Sequence, residues 1–267
     1  MAGFETHLSS ERVTTIVMGD SGSGKTSLIG TLANAGFNVR IIDFDNGLDI
    51  LNSVLTEGGK ARTSFISLRD PTEGRAEAMM TAKKLILGGW KDGDEDLGKL
   101  SDWTMNDVLV IDSGTFMGSA AKKAALTLTG SRNLYEALTQ PQWGEALRQV
   151  ENVLDYITQP HLPFNVVMTC LPIPVDDDME RTKVYPYCVT KNFSMNVLPG
   201  YFNNMVAIKS RRDGSRVIQT VSDLRMDLKV TRPDMVPAAI EPDLAKLFGA
   251  LRGDTQEWED IKPKRAS

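Results

Sequence analysis

The stretch IVMGDSGSGKTSLIG, residues 16–30, constrains this chain more than any other. It matches G-x-x-x-x-G-K-[ST], with Gly19, Gly24, Lys25 and Thr26 at the fixed positions. Residues 14–18 are apolar and β-branched, as a buried parallel strand requires. Residues 25–35 read as the helix that follows. Between them lie Gly19, Asp20, Ser21, Gly22, Ser23 and Gly24, a loop whose glycines can adopt positive φ and curl backbone N–H groups around an anion. The helix points its positive dipole at the same spot, with Ser27 in its first turn. Lys25 is placed to neutralise the terminal phosphates, and the Thr26 hydroxyl to ligate magnesium. The alternative is a chance match in a Gly/Ser turn. A strand before, a helix after and four filled positions weigh against that, so the motif implies a nucleoside triphosphate, ATP, with Mg2+.

A phosphate loop fixes the ligand class but not the task, which falls to acidic strand ends. Residues 108–112 (VLVID) read as a hydrophobic strand carrying Asp112 at its carboxyl end, the position of a magnesium-ordering carboxylate. The alternative is an aspartate that merely ends a strand. In VRIIDFDNGLDIL, Asp43, Asp45 and Asp49 surround the end of a second strand, residues 39–43. A carboxylate there can polarise the attacking water as a general base, and Asp45 is the first candidate. The competing reading makes Asp45 or Asn46 a helix N-cap.

Strand and helix patterns alternate along the rest of the chain. Residues 63–67 and 165–170 read as strands, 73–87 and 142–159 as helices, and 88–103 as a Gly/Asp-rich surface excursion. Such alternation implies an α/β fold, a mostly parallel sheet with helices on both faces in three layers. KSRRDGSR, residues 209–216, reads as a hairpin turn between two strands. The division expected is a core over residues 1–240, then a short helix near 242–251 and a charged tail, together residues 241–267.

Taken in order, GDSGSGKTS, VRIIDFDNGLD and VLVIDSGT resemble the core of RecA-type ATPases. More narrowly, with LPGYFNNMVAIK and DLKVTRPDMVPAAIEPDLAKLF, the chain resembles phage nucleotide-binding proteins, some of them single-strand annealing or recombination proteins. The resemblance implies a RecA-like fold with Lys25 and Thr26 on phosphate and magnesium. Asp112 takes the second acidic site, and Asp45 stands where RecA has a catalytic glutamate. The strand over 165–170 would sense the γ-phosphate, with Thr169 the better candidate over Cys170. The family binds nucleotide between subunits of a ring or filament. That implies a homo-oligomer in which Lys229 and Arg232 reach a neighbour's γ-phosphate, although charges guarding a strand edge are the competing reading. It also implies single-stranded DNA as partner, with a single-strand DNA-binding protein as a further partner. Lys122, Lys123 and Arg132 would lie in one DNA loop, and Arg181, Lys183, Tyr185 and Tyr187 in another, where charge tracks phosphates and rings stack on bases. The competing reading is a solvated helix face and an irregular hairpin.

Composition excludes several classes. Of 267 residues, 41% are hydrophobic and 24% charged, which is globular material, and a net charge of −5 gives no global field for nucleic acid. Two cysteines and two histidines provide neither a disulfide framework nor metal-ligand spacing. No run approaches a membrane span, and the start lacks a signal-peptide apolar region, so the expected location is the cytoplasm, the host's for a phage protein. A GTPase switch would need N-K-x-D, which is missing. A small-molecule kinase would need an arginine-rich lid, for which 209–216 is the one cluster.

Overall fold

The computed structural model describes residues 11–71, 74–176, 182–211 and 213–259. The chain enters β1 (Thr14–Met18), turns through the glycine loop into α1 (Lys25–Asn34) and returns in β2 (Asn38–Asp43). Two one-turn helices, α2 (Leu51–Val54) and α3 (Glu57–Lys60), lead into β3 (Thr63–Ser67). Helix α4 (Ala78–Gly88) and a hairpin of β4 (Trp90–Asp92) and β5 (Glu95–Gly98) precede β6 (Asp107–Asp112). Helices α5 (Gly114–Leu128) and α6 (Gln140–Ile157) lead to β7 (Asn165–Cys170). A second hairpin, β8 (Pro172–Asp176) and β9 (Thr182–Pro186), is followed by α7 (Lys191–Asn196) and α8 (Leu198–Tyr201). Strands β10 (Asn204–Ser210), β11 (Arg216–Gln219) and β12 (Ala239–Ile240) and helix α9 (Leu244–Arg252) complete it.

Eight strands form one sheet in the order β12-β11-β10-β1-β7-β6-β2-β3. The six from β10 to β3 run parallel, and β11 and β12 add an antiparallel edge. This is the mostly parallel sheet with helices on both faces that was expected from the sequence.

Alternation along the strands builds a core on each face. Ile16, Met18, Leu109, Ile111 and Met168 point to one side and pack with residues of α4, α5 and α6. Val17, Ile41, Val110, Val167 and Val206 point to the other, where Leu28 and Leu32 of α1 and Leu247 and Phe248 of α9 cover them. Strands apolar on both faces, as these are, belong inside a covered parallel sheet.

Several expectations need correction. Residues 88–103 are not simply a surface excursion. Trp90 and Leu100 are fully buried and Trp103 nearly so, and the Trp103 ring meets Phe164 edge-on at 5.5 Å. The Gly and Asp residues make the turn of β4–β5, while the aromatics anchor it to the core. Helix α4 starts at Ala78, and residues 74–77 of the expected helix are not helical, because Asp70 Oδ1 accepts from the Glu77 and Ala78 amides at 2.7 and 2.9 Å; residue 73 lies outside the described residues. Helix α6 starts two residues early, at Gln140, where Thr139 and Gln142 form a capping box. Helix α9, the short helix that the expected division sets after residue 240, is capped by Asp243 and packs in the second core.

Helix α5 comes close to the backbone of another segment. A Cβ placed on Gly118 would stand 2.5 Å from the Val189 amide nitrogen. Backbone cannot yield as a side-chain tip does, so the clash outweighs the roughly 1 kcal/mol that alanine gains over glycine in a helix. Gly118→Ala is expected to cost about 1–2 kcal/mol, read from the denaturant midpoint at unchanged m-value. A variant as stable as the parent would show that the 187–189 segment is free to move.

Candidate functional site

The site lies where β1, β6 and β2 end. Gly22 and Gly24 take φ of 75° and 100°, which side chains rarely allow, and this curls the loop over the start of α1. No side chain caps that helix, and its first turn holds no acid, so its leading N–H groups remain available to an anion. Lys25, only 9% exposed, folds back so that Nζ donates to the Gly19 and Asp20 carbonyls at 2.8 and 2.9 Å. Burial pulls its pKa below the ordinary value, against the opposing pull of Asp112 and Asp45.

Asp112 is held on both oxygens. Thr26 Oγ1 donates to Oδ2 at 2.8 Å, and Thr169 Oγ1 donates to Oδ1. Burial raises its pKa, and the two hydroxyl donors work against that rise. Thr169, the expected γ-phosphate sensor, is therefore engaged with Asp112.

The three aspartates of the β2 segment divide. Asp43, 1% exposed, organises the turn: Oδ1 accepts from the Asp45 and Asn46 amides at 3.1 and 2.8 Å, and Oδ2 from Ser67 Oγ at 2.9 Å. Asp49 is exposed on the adjoining short helical turn. Asp45 lines the cavity with Lys25 and Thr26, and its Oδ1 is buried with no hydrogen-bond partner. Burial, then the charges of Asp112 and Asp43, push its pKa up to about 7.

The cavity measures about 450 Å³, within the range of small-molecule sites. The phosphate loop forms its floor, Phe116, Leu171 and Ile50 supply apolar wall, and Arg216 leans in from β11. Arg216 was missed by the sequence reading, which placed it in the 209–216 hairpin turn and gave it no part in the site. Its Nη2 donates to the Gly22 carbonyl at 3.3 Å. Among the described residues, no cluster of three or more His, Cys, Asp or Glu forms a metal cage. Magnesium needs none, because it binds through one or two protein oxygens plus substrate phosphates. The hard oxygens of Thr26 and Asp112 fit that role.

The remaining site candidates lie elsewhere. Lys229 pairs with Met205, in the amino-terminal half of β10, and its Nζ donates to the Pro199 carbonyl at 2.7 Å. Arg232 packs by Gly253 after α9. Neither belongs to the cavity of its own chain. Lys122 and Tyr187 meet, with Nζ 3.2 Å from the phenol oxygen and 5.5 Å from both the Tyr187 and Trp143 ring centres. Lys123 stands over Tyr135 at 5.4 Å. Arg132 and Tyr135 line an open groove after α5, together with Arg75. Lys183 pairs with Asp227 at 2.8 Å, Tyr185 faces Ile173 across the β8–β9 hairpin, and Arg181 lies outside the described residues.

No family model and no curated protein matches the chain. Among solved structures it is similar to a prototypical ATPase from the type III secretion system of pathogenic bacteria. That likeness has 13% identity and a TM-score of 0.49, and it covers 85% of this chain and 55% of the other, so the chain spans about half of that protein. It is also similar to the RadB recombinase, at 18% identity and a TM-score of 0.47, covering 86% of each chain. Neither likeness is close enough to carry function, and the site's own geometry must do so. No described helix is long and apolar enough to cross a membrane.

A carboxyl whose pKa rises from its usual value to about 7 on folding holds a proton that the unfolded chain releases. Between about pH 4 and 7 the folded state therefore binds more protons, and this group's contribution to stability falls as pH rises through that window. Asp45→Asn removes the penalty. Without nucleotide, the variant is expected to melt above the parent at pH 8, with the gain vanishing near pH 4. Equal melting temperatures at pH 8 would show that Asp45 is well solvated.

Proposed function

We propose that this chain is an ATP-hydrolysing, RecA-like protein that acts on single-stranded DNA as a homo-oligomer, in phage-type recombination, annealing or repair. One observation carries the reading: Lys25, Thr26 and an Asp45 carboxylate with one unpartnered oxygen converge on one cavity, with Asp112 directly behind Thr26. The phosphate chain lies across the glycine loop and the open amides of α1. Lys25 exchanges two carbonyl partners for phosphate oxygens, a stronger charge-assisted contact. Thr26 and Asp112 hold Mg2+, which when bound neutralises charge on the terminal phosphates. Asp45 orients a water and takes its proton. A carboxyl with pKa about 7 is half ionised at neutral pH and still basic enough to accept that proton.

The DNA reading is supported by the resemblance of the motifs and by the basic, aromatic-flanked face around α5, where Lys122, Lys123 and Arg132 lie with Tyr135 and Tyr187. Charge there can follow phosphates while a ring stacks on a base.

Three outcomes are expected of nucleotide turnover. Lys25→Ala abolishes ATP binding, since no second lysine stands in the loop to replace its point charge. Asp45→Asn keeps ATP affinity and loses turnover by about a hundredfold or more, the usual contribution of a general base. The parent's kcat/KM climbs with pH to a plateau above about 7, as the free protein's Asp45 ionises. Near-normal turnover in either variant would remove the assignment. A preference for GTP would favour a switch, and a need for an added acceptor a kinase.

For DNA, replacing Lys123, Arg132 and Tyr135 with alanine is expected to weaken binding to an oligothymidine strand. The two lost cations should flatten the logarithmic salt slope by about 0.7 each. An unchanged slope would return these residues to ordinary surface.

A further inference from the structure

Arg216 sits at the base of a hairpin that is hydrogen-bonded among its described residues. The Arg211 amide donates to the Ser215 carbonyl at 2.7 Å, and Asp213 Oδ1 accepts from the Ser215 amide and hydroxyl at 3.0 and 2.6 Å. Strand β10, which carries the hairpin, pairs with β1 and presses on the phosphate loop. A Cβ on Gly19 would lie 2.6 Å from Ile208 Cγ2. The hairpin therefore delivers Arg216 to a defined place. The side chain lies along the loop, close enough that a Cβ on Gly24 would meet its Nη1 at 2.8 Å and its Cδ at 3.1 Å.

The guanidinium borders the same cavity as Lys25, Thr26 and Asp45. Among the described residues no carboxylate pairs with it, and the contact found is a long one to a neutral carbonyl. An arginine has five N–H donors in a rigid fork that matches phosphate oxygens, so one carbonyl uses little of its capacity. Its charge stands over the loop expected to hold an anion, and a triphosphate presents more negative charge than Lys25 alone offsets.

We propose that Arg216 is a second phosphate-binding cation of the nucleotide site, supplied by the chain's own β10–β11 hairpin. The inference rests on the nucleotide reading above and deepens it. On binding, the fork leaves the Gly22 carbonyl for phosphate oxygens. Such a cation within the subunit is a separate contact from the one that the resemblance gave to Lys229 and Arg232 of a neighbour.

Displacement of a fluorescent ATP analogue by ATP with magnesium tests this on the full chain at low salt. Arg216→Ala is expected to weaken ATP binding roughly ten- to a hundredfold, the size of a charge-assisted contact. Its melting temperature without nucleotide should stay near the parent's, because the side chain is exposed. Arg216→Lys keeps the charge and should recover part of the affinity, whereas Arg216→Gln keeps only a neutral donor and should not. Full recovery in the glutamine variant, or an alanine variant that binds ATP like the parent, would overturn the assignment. Should Arg216→Ala misfold, the lysine and glutamine pair decides alone. Lys25→Ala separates the two readings: if it also binds normally, the nucleotide site itself is wrong. Mixing Arg216→Ala with Lys25→Ala should restore no ATPase activity, because both cations are needed in one chain, and any rescue would place Arg216 in a neighbour's site.

Discussion

The carboxylate of Asp112 is the point on which the site depends. It stands at the end of a strand with no exposure to speak of, where an unsatisfied charge would be costly, and two hydroxyls from different elements hold it. Thr26 brings α1 to it and Thr169 brings β7. Because β7 lies between β1 and β6, Thr169 spans from the middle strand and fixes how far the phosphate loop stands from the acidic strand end. The same strand passes through both hydrophobic cores, so distortion of either core would be felt at the carboxylate.

A second constraint is the balance of charge around the cavity. Burial acts against Lys25, Asp112 and Asp45 together; neighbours partly sustain Lys25 and Asp112, whereas the charges of Asp112 and Asp43 add to the burden on Asp45. Asp43 spends both oxygens on its turn and on Ser67. That division of labour leaves one carboxylate, Asp45, with an oxygen unclaimed by protein. An arriving polyanion and its cation would relieve the Lys25 and Asp112 penalties at once, which is how a pocket strained by its own charges becomes receptive.

What was legible in the sequence was local. The glycine spacing, the β-branched runs of β1, β6 and β7 and the aspartates that end strands each state their role within a few residues. What escaped depended on distant partners. Asp70 delays α4 from seven or eight residues away, and a Gly/Asp-rich turn hid two core tryptophans. Thr169 read as a sensor because the hydroxyl that it gives to Asp112 crosses 57 positions of chain. Arg216 looked like hairpin surface because only the strand order places β10, and with it the hairpin, beside the phosphate loop. The residues expected to meet DNA were named from resemblance and charge; among them the structure brings Lys122 to Tyr187, while Lys183 is paired with Asp227.

The tryptophans lend the molecule a built-in optical readout. Trp90 and Trp103 are packed together in the core, their ring centres 6.1 Å apart, and their emission should follow the folded state and little else. Trp143 is only partly covered and has the Lys122 ammonium over its ring, beside Tyr187. A strand of nucleic acid drawing that ammonium away would alter the ring's surroundings without touching the buried pair. Trp258, partly buried against the second core, emits as well, so it is replacement of Trp143 alone with phenylalanine that isolates the signal of the α5 face from that of the other three tryptophans.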